Sequence, residues 1–582
     1  MKIHLVAALC LGGCRLCAFA ETPAVDLQWG VKIPVRDGVK LSATVFQPHK
    51  MDGPLPVIFT LTPYIGDSYE DRAMYFARHG YVYALVDVRG RGNSEGVFEP
   101  FANEGRDGYD VVEWLARQPW SNGKVAMWGG SYAGFDQWST LKEFPPHLVT
   151  IVPAAAAYAG ADFPFFKNVF TSYIIQWLTF TSGVTPNQNL FGDSSFWTDK
   201  FYQRYVSNAP FSDLPKIVGN TSTVFSKWLD HPQPDAYWDA MNPSPAQLAK
   251  IDVPILTITG HYDGDQTGAL TYYQEHMKYG SQEGKAKHYL IIGPWDHAGT
   301  RTPKKEVGGL VFGDASMLDL GQIHKQWYDW TMKNGPKPEF LKARVAYYVM
   351  AADQWKYADD LASIAKATRT LYLQSAGEAG DMFHSGSLVE KTPSGAGEDR
   401  FTYNPLDTRP GELELQSNPN YLTDGTGTMN LYGNGVVYHS EPFEKATEVT
   451  GMLRFTAWIA MDVPDTDLQV SVDEILPNGS SVHLTSDALR ARYRDSLRQP
   501  KLVVPGEINR YDFRGFQYFS RQIAKGSRLR LVLQCPNSIQ VEKNYNSGGD
   551  VARETAKDAR IAHIRVLHDP EHPSHLHLPV VE

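Results

Sequence analysis

From Val31 to about residue 337 the chain alternates short, wholly apolar runs with longer segments of helical spacing, and few folds can absorb that order. Val57 to Leu61, Tyr83 to Val88 and Val125 to Trp128 are apolar at odd and even positions alike, and turn residues follow each. A strand apolar on both faces is buried on both, as a parallel strand is when helices cover it. Between them, Gly108 to Arg117 carries Val111, Val112, Trp114 and Leu115 with its acids early, the pattern of an amphipathic helix. Ile255 to Thr259 and His288 to Ile292 repeat the strand pattern, and Val31 to Val35 and Val39 to Phe46 flank Asp37-Gly38, a hairpin signal. The alternation predicts a doubly wound α/β sheet.

Two stretches break it. Tyr158 to Pro245 is long and aromatic, with Phe163, Phe165, Phe166, Tyr173, Trp177, Phe196, Trp197 and Tyr202 at helix-like spacing. It reads as a helical insertion between two strands, either a packing layer or a cap over a cleft. After residue 338, short runs such as Arg369 to Leu373, Leu453 to Ala460, Leu468 to Val472 and Arg528 to Leu533 are separated by Gly, Pro and Asn without helical segments. Many short strands point to a β-sandwich of jelly-roll type. Since one core stops growing near ~250–300 residues, a chain of 582 needs such a division. The expected units are a signal peptide over 1–20, a core over 26–157 and 246–337, the insertion over 158–245 and the sandwich over 338–582.

Lys2, the apolar run Leu5 to Leu11 and Ala18-Phe19-Ala20 form a signal-peptide pattern, so the protein is expected in the periplasm or secreted. The alternative is Leu11-Gly12-Gly13-Cys14, a lipoprotein-like box that would leave Cys14 lipidated. The apolar run is too short to span a bilayer, which takes ~20 residues, and no later one is long enough. Cys10, Cys14 and Cys17 fall inside the signal, so Cys535, in a strand-like run, is left as a core thiol with no disulfide partner. A net charge of −10 argues against a nucleic-acid partner, which calls for a basic face.

The chemistry centres on Val125-Ala126-Met127-Trp128-Gly129-Gly130-Ser131-Tyr132-Ala133-Gly134. A strand runs into a tight turn holding a serine, and a helix-like segment follows. Small neighbours let the backbone turn so that the serine oxygen stands clear of the sheet, the nucleophile elbow of an α/β-hydrolase. The spacing is Gly-x-Ser-x-x-Gly, with Ala133 where the usual elbow has glycine. A serine needs a base and the base an orienting acid, which in this fold follow in the order Ser, Asp, His. Asp263 follows the strand Ile255 to Thr259, and His297 follows Leu290-Ile291-Ile292 through Gly293-Pro294-Trp295-Asp296. Each alone reads equally well as a turn former or a loop histidine; in order, at strand ends where such sheets bind ligands, they read as a triad.

These residues resemble the cocaine-esterase and α-amino-acid ester hydrolase group, CocE/NonD hydrolases related to the Xaa-Pro dipeptidyl-peptidases of family S15. The resemblance rests on Leu61-Thr62-Pro63-Tyr64, Val86-Asp87-Val88-Arg89-Gly90-Arg91-Gly92-Asn93-Ser94-Glu95-Gly96, the Gly-Gly-Ser-Tyr elbow, Tyr262-Asp263, Gly293-Pro294-Trp295-Asp296-His297 and the C-terminal His572-Pro573-Ser574-His575-Leu576-His577-Leu578-Pro579. It covers nearly the whole mature chain. It implies the α/β-hydrolase fold with an inserted helical cap and a C-terminal jelly roll. It also implies a serine hydrolase working through an acyl-enzyme on a small ester or amide, or on a short peptide. The oxyanion hole it implies combines the Tyr64 hydroxyl with the backbone N–H of Tyr132. In the amino-acid ester hydrolases carboxylates near the triad hold the substrate's ammonium group; Asp265 takes the place of one, Asp162 in Gly160-Ala161-Asp162-Phe163 is a candidate second, and Gln266 stands where that subfamily has an acid.

Gly90-Arg91-Gly92-Asn93-Ser94-Glu95-Gly96 superficially suggests a dinucleotide loop, but its third glycine is misplaced and no helix with an acid ~20 residues on completes the fingerprint. It is read as a structural turn. His568, His572, His575 and His577 have no Cys or Glu partner at a structural-zinc spacing, so no metal is expected, and no cofactor. Two rival functions stay open: an Xaa-Pro dipeptidyl-peptidase, and a glycan-binding protein with an inactive hydrolase domain. Self-association as a homo-oligomer is left open as well.

Overall fold

A computed structural model describes residues 24–220, 222–415 and 418–581; the signal-peptide pattern and Cys14 lie outside them. Ten strands form the first sheet: β1 (Val25–Pro34), β2 (Lys40–Pro48), β3 (Leu55–Thr62), β4 (Val82–Asp87), β5 (Ser121–Gly130), β6 (Leu148–Ala154), β7 (Ile255–Tyr262), β8 (His288–Asp296), β9 (Val345–Val349) and β10 (Gln354–Ala358). Their order is β1-β2-β4-β3-β5-β6-β7-β8-β9-β10. The hairpin at Asp37-Gly38 makes β1 and β2 antiparallel, and every neighbouring pair from β4 through β9 is parallel.

The wholly apolar strands are buried on both faces, as their composition requires. Val57, Phe59, Val125 and Met127 point into one core with α2 (Glu104–Ala116), α3 (Tyr132–Leu141) and α5 (Gln266–Tyr279). Ile58, Tyr83, Ala126 and Trp128 point into the other, with α1 (Glu70–Arg78) and α6 (Leu320–Lys333). Between β6 and β7 the chain leaves the sheet for a hairpin (Phe165–Phe166 with Val169–Phe170) and a series of helices that starts with α4 (Tyr173–Phe180) and ends at Leu248. Their shared core is aromatic, built on Trp177, Trp228, Trp238 and Phe225, and it packs on Phe101, Tyr132 and Phe135 at the top of the sheet.

Strands from Ala367 to Val581 form the second, thirteen-stranded network, with no α-helix longer than four residues among the described residues. It folds over a single large core that holds Cys535, wholly buried, so burial pushes its thiol pKa up and leaves it unreactive. This is the expected α/β-hydrolase sheet with a C-terminal β-sandwich. Strand pairing runs on past residue 338: β9 pairs with β8 and β10 with β9, so the first sheet extends to Ala358. Short apolar runs look alike in both units, and pairing alone assigns them. Met350, just past β9, exchanges backbone hydrogen bonds with Ser520 and Gln522 (3.0 Å each) and so ties the two units together.

Candidate active site

β5 delivers Ser131 to the top of the sheet in a strained turn. Its backbone sits at φ 62°, ψ −127°, and α3 begins at the next residue. A non-glycine residue there costs on the order of 1–3 kcal/mol and persists only when its surroundings hold it. They do: the Ser131 N–H donates to the Ala154 carbonyl (2.9 Å), and its own carbonyl accepts from Gly134 (2.8 Å). A Cβ on Gly129 would lie 2.6 Å from the Ala133 methyl, so the alanine in place of the usual elbow glycine depends on glycine at 129.

Asp263 and His297 leave the ends of β7 and β8 and meet. The His297 Nδ1 lies 2.7 Å from Asp263 Oδ1, and the Asp263 side chain is wholly buried. Asp263 is fixed in turn by the Thr259 hydroxyl (2.8 Å) and the Asp265 N–H (3.0 Å), both donating to its carboxylate. Burial of the imidazole lowers its pKa, but the charges of Asp265 and Asp263 outweigh it and the net shift is upward. Ser131 lies close enough to Tyr64 and Asp265 to temper the rise in pKa of both. No hydrogen bond joins it to His297 in this conformation. Serine and histidine share a neighbour, however, since Asp265 Oδ2 is 3.8 Å from His297 Nδ1.

Tyr64 follows β3. Its hydroxyl accepts from the Trp177 indole of α4 (3.0 Å), which leaves its own proton for the cavity. Burial holds that phenol far above the usual tyrosine pKa, so it stays a donor. Tyr132 contributes differently from Tyr64. Its hydroxyl donates to Glu104 (2.6 Å) and accepts from the Phe101 N–H (2.5 Å), away from Ser131. Only its backbone N–H, first in α3 and so without an intrahelical acceptor, is left for the site.

Asp162 and Asp265 sit together. Asp162 accepts from the Tyr158 N–H (2.8 Å) and, at the start of α5, from the Gly268 N–H (2.6 Å). Burial and then the charge of Asp265 raise the Asp162 pKa well above the carboxylate range, while burial raises Asp265 to about 6, tempered by His297. Gln266 is no vacant acid position. It is wholly buried and turned away, donating to the carbonyls of Gly260 (2.9 Å) and Tyr518 (2.8 Å) and accepting from the Tyr518 N–H (2.7 Å).

Ser131, His297, Tyr64, Tyr132, Asp162 and Asp265 all line one cavity of about 430 Å³, with Asp263 behind the imidazole. Phe101, Phe163, Tyr173 and Trp177 make the rest of its wall largely aromatic, and Gln540 and Val541 reach in from the sandwich. Sequence reading missed Thr259, Trp177 and Gln540; the aromatic run of the insertion was the one available signal.

The family model described as X-Pro dipeptidyl-peptidase (S15 family) matches residues 37–299, and that of the X-Pro dipeptidyl-peptidase C-terminal non-catalytic domain matches 340–577. The chain belongs to the CocE/NonD hydrolases of peptidase family S15. As a member it is a serine-type hydrolase. It is 26% identical to the cocaine esterase of Rhodococcus sp. (strain MB1 Bresler) over 95% of this chain and 98% of that protein. An aminopeptidase from the marine sediment archaeon Thaumarchaeota archaeon superposes with a TM-score of 0.83 at 22% identity, over 96% of this chain and 97% of that one. An α-amino acid ester hydrolase superposes at 0.81 and 20% identity, over 98% and 100%. The two superpositions carry the fold across all three parts of this S15 chain. No helix among the described residues is long and apolar enough to cross a membrane.

Proposed function

We propose that this chain hydrolyses α-amino-acyl esters or amides through an acyl-enzyme on Ser131. The hydroxyl turns toward His297, gives up its proton to the imidazole and attacks the carbonyl. Asp263 holds the imidazolium in place. The Tyr64 hydroxyl and the Tyr132 N–H receive the oxyanion, each worth a few kcal/mol in such a site. The imidazolium then protonates the leaving group, and water, activated by the same imidazole, releases the acid. Asp265 with Asp162 meets the substrate's ammonium group, and the aromatic wall takes its side chain. The observation that carries the reading is the Asp263–His297 contact of 2.7 Å beside a serine elbow, in a cavity that also holds two half-buried acids. Lys2, Leu5 to Leu11 and Ala18 to Ala20 support an exported enzyme.

The test compares wild type with Ser131→Ala on p-nitrophenyl esters with and without a free α-amino group, on an Xaa-Pro-nitroanilide, and by fluorophosphonate labelling. Ser131→Ala is expected to lose turnover and labelling, and the amine to raise kcat/KM at least ten-fold. Persistent labelling of the variant removes Ser131 from the chemistry. An indifferent amine removes the two acids from recognition, and a preference for the nitroanilide makes the enzyme a dipeptidyl-peptidase.

A further inference from the structure

The Gly90–Gly96 turn contains a wholly buried cation that the proposed chemistry does not use. Arg91 donates through Nε to the Pro63 carbonyl (2.8 Å), one residue before Tyr64. Its Nη1 donates to the carbonyls of Thr181 (2.8 Å), Ser182 (3.1 Å) and Gly183, at the C-terminal end of α4. The next residue adds to the link, the Gly92 N–H donating to the Val184 carbonyl (2.6 Å). Helix α4 carries Trp177, whose indole donates to the Tyr64 hydroxyl. The path is therefore closed: from the Tyr64 hydroxyl through Trp177 and α4 to Arg91, and through the Pro63 carbonyl back to Tyr64.

The loop it encloses needs holding. Ile65, a β-branched residue, sits at φ 70°, which costs on the order of 1–3 kcal/mol and does not persist unaided. On its far side Asp87 accepts from the Gly66 N–H (2.7 Å), in space that a Cβ on Gly92 would fill. The end of β4 and the turn that follows it thus grip Tyr64 from both flanks. We infer that Arg91 is a positioning residue that holds the Tyr64 hydroxyl at the oxyanion position and makes that placement depend on the cap helix being seated. Asp87 has the supporting part. The guanidinium touches no substrate; it acts through Tyr64.

This rests on the oxyanion role proposed for Tyr64, and a double-mutant cycle separates the two. Wild type, Arg91→Lys, Tyr64→Phe and the double variant are compared for kcat and KM on one p-nitrophenyl ester. Lysine keeps the charge but cannot reach Pro63 and α4 together. Tyr64→Phe is expected to lower kcat about 10²–10³-fold. Arg91→Lys should lower kcat ten-fold or more with KM changed less than about two-fold, and should cost less than about two-fold once the hydroxyl is gone. Should Arg91→Lys fail to fold, Trp177→Phe enters the same cycle at the other end of the path, with the same expectation. A full multiplicative loss in the double variant, or an Arg91→Lys enzyme with wild-type kcat, overturns the positioning role alone. A silent Tyr64→Phe overturns the oxyanion assignment and the inference with it.

Discussion

His297 sits between two carboxylates that do different work. Asp263 fixes its Nδ1 at 2.7 Å, while Asp265 at 3.8 Å acts through its charge; burial lowers the imidazole pKa, and the Asp265 charge and the Asp263 contact together raise it. A base must be neutral to accept a proton, so the rate falls as pH drops through the raised histidine pKa. Removing a neighbouring negative charge destabilises the imidazolium and lowers that pKa. Asp265→Asn is therefore expected to move the acidic limb of kcat/KM for an amine-free ester to lower pH. With an α-amino ester the wild type should show an added rise in KM below about pH 6, where Asp265 takes up a proton. The direction of the shift is the test. A limb that stays in place in Asp265→Asn removes Asp265 from the electrostatics of the base.

At the scale of elements, the elbow is a fit between β5 and α3. The Ala133 methyl occupies the space a Gly129 side chain would need, at 2.6 Å from where its Cβ would lie. Overpacking of this kind costs on the order of 1–3 kcal/mol, and here the displaced atoms are those that carry Ser131. Gly129→Ala is expected to slow fluorophosphonate labelling at least ten-fold, and Gly129→Ala with Ala133→Gly to recover most of it. Absence of recovery would mean that the strand, not the Ala133 contact, sets the requirement for glycine. The same element scale explains what could be read in advance. Strands buried on both faces advertise themselves by unbroken apolar runs, and a serine between small residues after one of them has few other uses. Thr259 gave no comparable signal, because a threonine inside a strand is ordinary until Asp263 is seen against it.

For the whole molecule, the sandwich is part of the site's scaffold. Gln540 and Val541 line the cavity, and Gln266 at the start of α5 bonds both the carbonyl and the N–H of Tyr518. Gln266→Leu would leave those buried groups unpaired, and each costs on the order of 1–3 kcal/mol. The expected result is a stability loss of about 2–5 kcal/mol, seen by calorimetry as a lower thermal midpoint, with most of kcat/KM retained at room temperature. An unchanged midpoint would show that water replaces the amide. This joint also shows where Gln266 is spent: its position one residue after Asp265 puts it in the first turn of a helix, where successive side chains point in different directions.

Local chemistry was enough for the sequence to mark the strand runs, the tight turn at Ser131, the places of Asp263 and His297 just past strand ends, and the change from an α/β sheet to a β-sandwich. Each is written in neighbouring residues, as periodicity, as small side chains at a turn, or as a polar group just past a strand. Tertiary structure alone decided which sheet β9 and β10 join, that Gln266 faces the sandwich, that the Tyr132 hydroxyl turns to Glu104, and that Arg91 ties Tyr64 to the cap. Those outcomes depend on contacts between segments tens to hundreds of residues apart, and a hydrogen bond leaves no mark on the sequence around either of its partners until the chain has brought them together.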